Sequence, residues 1–165
     1  MKELDKVDIL KIKEELNPLL EKYKTELVLK TRPTAFCLQG ISEDQDPFYG
    51  LGSVWDFTHS KDMKKGEEAF SHFLFDIPYI NELIKKHKMF RTRVMLQPSA
   101  SCYTYHKDFT PRKHIPVITN NDCLFILEDI VYRMKEGLIY FVDTTKQHTA
   151  VNGSKKTRIH IVGNV

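Results

Sequence analysis

From Phe90 onward the chain breaks into short apolar segments rich in β-branched and aromatic residues, and this texture constrains the fold more than any other feature. The segments are 92–96, 101–108, 114–119, 123–127, 138–142, 147–151 and 157–162. Turn chemistry separates them. Asn120-Asn121-Asp122 lies between two, Gly137 opens another, and Asn152-Gly153 is a strong two-residue hairpin signal. Strands of this length and spacing, preceded by helices that can pack outside, predict a mainly β chain with N-terminal helices and a barrel or sandwich in its last part.

The first 90 residues read as cover. Residues 2–24 form an expected helix with apolar residues near helical spacing and Pro18 as a kink or break. Residues 26–29 and 35–38 are expected edge strands around Pro33, and 40–53 a loop with Gly40, Pro47, Gly50 and Gly52. Residues 61–66 read as a charged, solvated turn. Asp76 is the expected cap of a helix with Pro78 in its first turn, an apolar face of Ile77, Ile80, Leu83 and Ile84, and a basic end at Lys85-Lys86-His87-Lys88.

With 165 residues the chain can bury most of its unfolded surface without disulfide or metal staples, so metal-type residues need an explanation other than folding. No apolar run approaches the ~20 residues of a helical membrane span, and the start shows no apolar signal core. Cys37, Cys102 and Cys123 are odd in number and lack C-x-x-C spacing; reduced thiols and a cytoplasmic location are expected. Lys and Arg total 25 against 22 Asp and Glu, a net +3, too little for a dedicated nucleic-acid binder. The basic stretch 85–93 therefore reads as a solvated helix end. Residues 144–165, by contrast, hold Lys146, Lys155, Lys156 and Arg158 and no Asp or Glu after 144, so an anion is expected there.

The chemistry concentrates in Tyr103-Thr104-Tyr105-His106-Lys107-Asp108. On a strand, residues two apart share a face, so His106 and Asp108 converge while Tyr103 and Tyr105 turn toward the core. A second imidazole would complete a two-His-one-carboxylate facial triad, which leaves coordination positions open. His148, at the start of a later strand, is the best candidate. Ten positions beyond it, across the expected hairpin, Arg158 lies in Thr157-Arg158-Ile159-His160-Ile161. Its guanidinium offers two parallel hydrogen bonds to a carboxylate. His160, on the face of Arg158, is expected to support it, and Trp55 is expected in the core.

With these residues together the sequence resembles the 2-oxoglutarate- and Fe(II)-dependent oxygenases, whose pattern is H-x-D, a distal His, and an Arg or Lys about ten residues beyond. Within that superfamily it is most similar to the aspartyl/asparaginyl β-hydroxylase family. The added match is Arg112-Lys113-His114 before Ile115-Pro116-Val117, which resembles the R-x-H segment with which that family grips the cosubstrate beside the metal. An animal member has Gly at the position of Asp108, so the triad here follows the wider superfamily.

The resemblance implies a double-stranded β-helix, the cupin-like jelly roll, as a single oxygenase domain over 1–165, with 1–90 as helical cover and edge strands and 91–165 as jelly-roll strands. It implies Fe(II) held by His106, Asp108 and His148, 2-oxoglutarate held by Arg158, Arg112 and His114, and O₂ as oxidant. It implies hydroxylation of a C–H bond, with succinate and CO₂ as coproducts. The partner would be a peptide or small molecule, as an Asp, Asn or Pro side chain or a free amino acid. The rival from another class is a non-enzymatic cupin-like module that binds a metal or small molecule.

Overall fold

The computed structural model describes residues 1–27, 34–52 and 54–165. Its first half comprises β1 (Lys2–Lys6), α1 (Ile9–Lys22), β2 (Thr34–Cys37), β3 (Gln39–Gly40), α2 (Val54–Thr58), α3 (Met63–Glu68), β4 (His72–Phe73) and α4 (Pro78–Lys86). Then come β5 (Phe90–Gln97), β6 (Ser101–Cys102), β7 (Arg112–Ile118), β8 (Cys123–Leu127), β9 (Ile130–Tyr132), β10 (Leu138–Val142), β11 (His148–Asn152) and β12 (Arg158–Asn164).

Antiparallel pairing gives a six-stranded sheet in the order β1-β10-β7-β12-β5-β2 and a four-stranded sheet in the order β6-β11-β8-β9. From β5 onward the chain visits the two sheets by turns. β5, β7, β10 and β12 enter the larger sheet, whereas β6, the β8–β9 hairpin and β11 enter the smaller one. This alternation makes the fold a double-stranded β-helix, as the family resemblance implies.

Period-two patterning decides which face of the larger sheet is apolar. Val94, Leu96, Ile115, Val117, Ile139, Ile159 and Ile161 are buried in one cluster with Ile12 and Leu16 of α1 and Ile80, Leu83 and Ile84 of α4. Each such side chain contributes roughly 1.5–3 kcal/mol of burial, so the outer, helix-covered face supplies most of the apolar stabilisation. The alternate residues, Arg91, Arg93, Met95 and Gln97 on β5, Arg112 and His114 on β7, and Arg158 and His160 on β12, turn the other way. A smaller apolar cluster of Phe125, Leu127, Met134, Tyr140, Val142 and Ala150 fills part of the space between the sheets.

Several local expectations are corrected. Residues 2–24 are not one helix: Lys2–Lys6 pairs with β10, and Asp8 then caps α1 by accepting from the N–H groups of Leu10 and Lys11. The polar β1 suits the sheet edge it occupies, and α1 runs through Pro18. Glu26 and Leu27 lie in a turn, and the rest of that expected strand falls outside the described residues. The charged turn at 61–66 is the start of α3, capped by Asp62. Asp76 does not cap α4; the carboxylate of Glu15 on α1 does, accepting from Tyr79 N–H at 2.8 Å and Ile80 N–H at 2.9 Å. Trp55, expected in the core, is 43% exposed.

Two corrections bear on the site. Asn152-Gly153 makes no hairpin, because β11 and β12 lie in different sheets and neither residue has the positive φ that a type I′ turn requires. The buried Asn152 amide instead ties the crossing together. Its Nδ2 donates to the carbonyls of Gln97, Pro98 and Lys156 at 2.8–3.0 Å, and its Oδ1 accepts from Ser154 N–H and Oγ–H. Residues 101–108 are likewise not one strand: β6 ends at Cys102, and His106 rejoins the smaller sheet through an isolated bridge to His148.

Candidate metal and cosubstrate site

His106 N–H donates to His148 O at 3.0 Å, and His148 N–H returns a bond to His106 O at 2.8 Å. The bridge brings the two rings to a centroid separation of 4.4 Å. Asp108 follows, its own N–H fixed on Thr144 O at 2.8 Å. His106, Asp108 and His148 thus come together by backbone pairing across a bend, although not by the strand periodicity expected for them. Their donor atoms all lie within 4.8 Å of one another.

The imidazole tautomers are set by their neighbours. The Nδ1 of His106 lies 2.7 Å from Thr104 O, and the Nδ1 of His148 lies 2.9 Å from Lys146 O. A carbonyl only accepts, so each Nδ1 carries a proton and Nε2 is the ring nitrogen left to meet a cation. Those Nε2 atoms face Asp108, at 3.8 Å from Oδ1 for His106 and 3.6 Å from Oδ2 for His148. Phe125 stacks on His148 at 5.6 Å and 15°, holding the ring plane. Two imidazole nitrogens and one carboxylate are the donor set of a borderline divalent cation with open positions.

Electrostatics keep Asp108 ionised. Burial would raise its pKa, but the charge and hydrogen bond of Arg112, helped by His148 and His106, prevail and hold the carboxyl below its ordinary value. Arg112 Nε–H donates to Asp108 Oδ2 at 2.9 Å, and its NH2 lies 3.4 Å from Glu67 Oε1. Its NH1 is buried without a partner. Burial drives the pKa of His114 well below the ordinary histidine value, aided by Arg158 and Arg112, so this ring is neutral; both its nitrogens are unpartnered.

Arg158 stands on the larger sheet facing the same cavity. Its NH1 donates to Gln97 Oε1 at 3.1 Å and its NH2 to His160 Nδ1 at 3.0 Å, so His160 supports it as expected. Among the described residues it meets no carboxylate, and burial lowers its pKa to about 10. The cavity, of about 230 Å³, is smaller than the ~300–1,000 Å³ typical of drug-sized ligand pockets. It contains His106, Asp108 and His148 together with Arg112, His114 and Arg158, so all six residues singled out from the sequence share one space.

Three contributors escaped the sequence reading. Tyr103 was expected to face away, yet it lines the cavity with its hydroxyl buried and unpartnered, because the chain is bent there. Tyr105 is exposed, its hydroxyl donating to Glu128 O. Glu67 is buried on α3 and accepts from Arg91 NH1 at 2.9 Å and Thr110 Oγ1 at 2.6 Å. Arg93 lines the cavity from β5. The Arg91-x-Arg93 pair repeats the period-two pattern of Arg112-x-His114 and Arg158-x-His160, a signal that could have placed it.

A jelly roll whose intersheet cavity carries a two-His-one-Asp cluster and an unpaired guanidinium is a double-stranded β-helix equipped for a cation and an anion side by side. The sequence pattern of the Aspartyl/Asparaginyl beta-hydroxylase family matches residues 11–165, and the chain belongs to that family. It is similar to L-proline cis-4-hydroxylase of Rhizobium meliloti (strain 1021), at 30% identity over 96 residues, 52% of this chain and 34% of that one. The match thus spans about a third of that relative's length. Similar solved structures include a cupin domain from Bordetella pertussis Tohama I, with TM-score 0.40, 13% identity, and coverage of 45% of this chain and 78% of that one. Another is an RmlC-like cupin with a double-stranded β-helix fold from Methanocaldococcus jannaschii, with TM-score 0.40, 17% identity, and coverage of 46% and 68%. No helix among the described residues is long and apolar enough to cross a membrane.

Proposed function

We propose that the chain is an Fe(II)- and 2-oxoglutarate-dependent hydroxylase that oxidises a C–H bond of an amino-acid unit, free or within a peptide. Residues 1–165 act as one oxygenase unit, and the three free cysteines suit the reducing cytoplasm. The observation that carries this reading is the buried, carboxylate-free Arg158 facing the two imidazoles and Asp108 across a single cavity. Family membership and the hydroxylase relative support the reaction class.

When bound, the metal and cosubstrate supply the oxidising chemistry, coupling decarboxylation of 2-oxoglutarate by O₂ to substrate hydroxylation, with succinate and CO₂ as coproducts. The protein's residues do the rest. His106 and His148 present Nε2 lone pairs fixed by the Thr104 and Lys146 carbonyls, and Asp108 supplies the carboxylate. Arg112 keeps Asp108 ionised and oriented, with its free NH1 left for an anionic oxygen. The neutral His114 offers an unpartnered ring N–H at the metal end. Arg158 receives the distal carboxylate, its fork aimed by Gln97 and His160. Met95, Phe125, Ala150 and Val162 line the same space with apolar surface that excludes water.

The test is anaerobic addition of Fe(II) and 2-oxoglutarate, watched for the weak visible charge-transfer band, then O₂ and a succinate assay. The expected result is a band that His106→Ala abolishes and that Arg158→Gln shifts to roughly 10- to 100-fold higher 2-oxoglutarate, the loss of a charge-assisted pair. Absence of both band and succinate would overturn the reading.

A further inference from the structure

A second cavity, also of about 230 Å³, adjoins the first and shares three of its walls. Thr34, Ala35, Leu51, Arg93, Met95 and Tyr103 line it, and the last three belong to both spaces. Among the described residues its lining combines the apolar Ala35, Leu51 and Met95 with the hydroxyls of Thr34 and Tyr103 and the guanidinium of Arg93. Arg93 is half-buried, with its Nε sealed from solvent and without a partner, and among the described residues its guanidinium forms no hydrogen bond or ion pair. Residues 28–33 and 53 contain no Asp or Glu, so they offer no side-chain carboxylate to Arg93. The nearby Cys37 thiol is kept neutral by burial.

Charge counting sharpens the point. Arg91, Arg93, Arg112 and Arg158 bring four positive charges to the polar face of the larger sheet, and Glu67 and Asp108 bring two negative ones. A divalent cation and a dianionic cosubstrate cancel each other, so the surplus survives loading of the site. Glu67 serves Arg91 and Arg112 together, and Arg158 faces the cosubstrate's distal carboxylate. Among the described residues, the cation of this set left without a counter-charge is Arg93. A guanidinium that gives up part of its hydration is retained against that cost where an anion meets it.

We propose that Arg93 is the receptor for a carboxylate of the primary substrate, with the second cavity holding the apolar body of that substrate and Tyr103 supplying a hydroxyl between the two spaces. The substrate class is therefore a small carboxylic acid unit, as the α-carboxylate of a free amino acid or the side-chain carboxylate of an acidic peptide residue. This rests on the hydroxylase reading and specifies its substrate.

The test uses full-length protein loaded with redox-inert Zn(II) and 2-oxoglutarate, so that binding is read without turnover. Calorimetry follows the twenty L-amino acids, their carboxamides, and an end-blocked peptide containing one Asp. At least one carboxylate is expected to bind, and its amidation should cost on the order of 10- to 100-fold in affinity. Arg93→Met should cost the same and erase the difference between acid and amide. Preference for free acids assigns the α-carboxylate, and preference for the blocked Asp peptide assigns the side chain. The proposal is overturned if Arg93→Met binds the acids within twofold of the parent, if acid and amide bind parent protein alike, or if no carboxylate in the panel binds. Met replaces an unpaired, half-buried cation by an apolar chain of similar length, so cooperative unfolding and retained 2-oxoglutarate binding are expected. Should that variant not fold, the acid-amide comparison on the parent protein still decides. Loss of 2-oxoglutarate binding by the parent would instead refute the hydroxylase reading, and the acids are then titrated on the Zn(II) form alone.

Discussion

Replacing Glu67 by Gln removes one negative charge from a side chain that is 1% exposed and accepts from Arg91, Thr110 and Arg112. Breaking a buried ion pair by deleting one partner costs about 3–5 kcal/mol, because the surviving charge is left in low dielectric. Here two guanidiniums lose their carboxylate, yet neither is wholly stranded. Arg91 NH2 still donates to Gly50 O at 3.0 Å and Gly52 O at 2.6 Å, and Arg112 keeps Asp108. The expected loss is thus near the lower limit, about 3 kcal/mol. For a chain of this size each kcal/mol moves Tm by roughly 2–4 °C, giving a fall of about 6–12 °C. Glu68 is the internal control: it neighbours Glu67 on α3 but is exposed, with Lys64 at 3.9 Å, so Glu68→Gln should change stability by less than ~0.5 kcal/mol. Urea and thermal unfolding of both variants measure the difference. A loss below ~1 kcal/mol for Glu67→Gln would refute the view that this carboxylate holds the arginine pair.

Acid should destabilise the metal-free protein. The folded-state pKa values of His114 and His160 are held well below 6.5, by burial first and by Arg158 next. Their contribution is complete above the unfolded value near 6.5 and is lost as pH falls below it, because the unfolded chain then takes up protons that the folded one refuses. The slope is about 1.4 kcal/mol per pH unit for each such histidine, and urea midpoints that stay flat from pH 7 to pH 5 would contradict it. Asn152→Ala should cost about 2–3 kcal/mol in urea unfolding, since three backbone carbonyls lose a buried donor together. Gly50→Ala should lower Tm: its φ is +79°, and a Cβ there would lie 2.3 Å from Phe70 Cε1. An unchanged Tm would show that the Phe70 ring yields freely.

The larger sheet was legible because its outer face obeys simple rules. On β12 Ile159 and Ile161 alternate with Arg158 and His160, and an alternation of that kind fixes which side is buried. That His106, Asp108, His148 and Arg158 would come together was legible for a different reason: each residue type has a narrow chemical use, and their order along the chain suits two strands and a crossing. What failed depended on partners far away in sequence. Asn152-Gly153 has the local preference of a tight turn, but six hydrogen bonds to the Asn152 side chain, some from residues more than 50 positions away, outweigh it. Glu67 is a solvated charge by every local measure and becomes buried because Arg91 and Thr110 arrive from 24 and 43 residues on. Tyr103 was misplaced because strand periodicity was extended through a segment that bends after Cys102.

The division of labour between the faces explains how such a short chain tolerates so much buried polarity. In a β-sandwich the space between the sheets is ordinarily the apolar core. Here α1 and α4 cover the outside of the larger sheet and take over that role, with Ile12, Leu16, Ile80 and Leu83 packed on its outward side chains. The intersheet space is then free to hold Arg93, Arg112, His114, Arg158 and His160 at a desolvation cost that the outer cluster offsets. Because the two functions occupy opposite faces of the same strands, neighbouring residues answer to different demands: Ile159 and Ile161 to packing, Arg158 and His160 to charge. One period-two strand therefore carries both part of the apolar packing and part of the charged lining of the cavity.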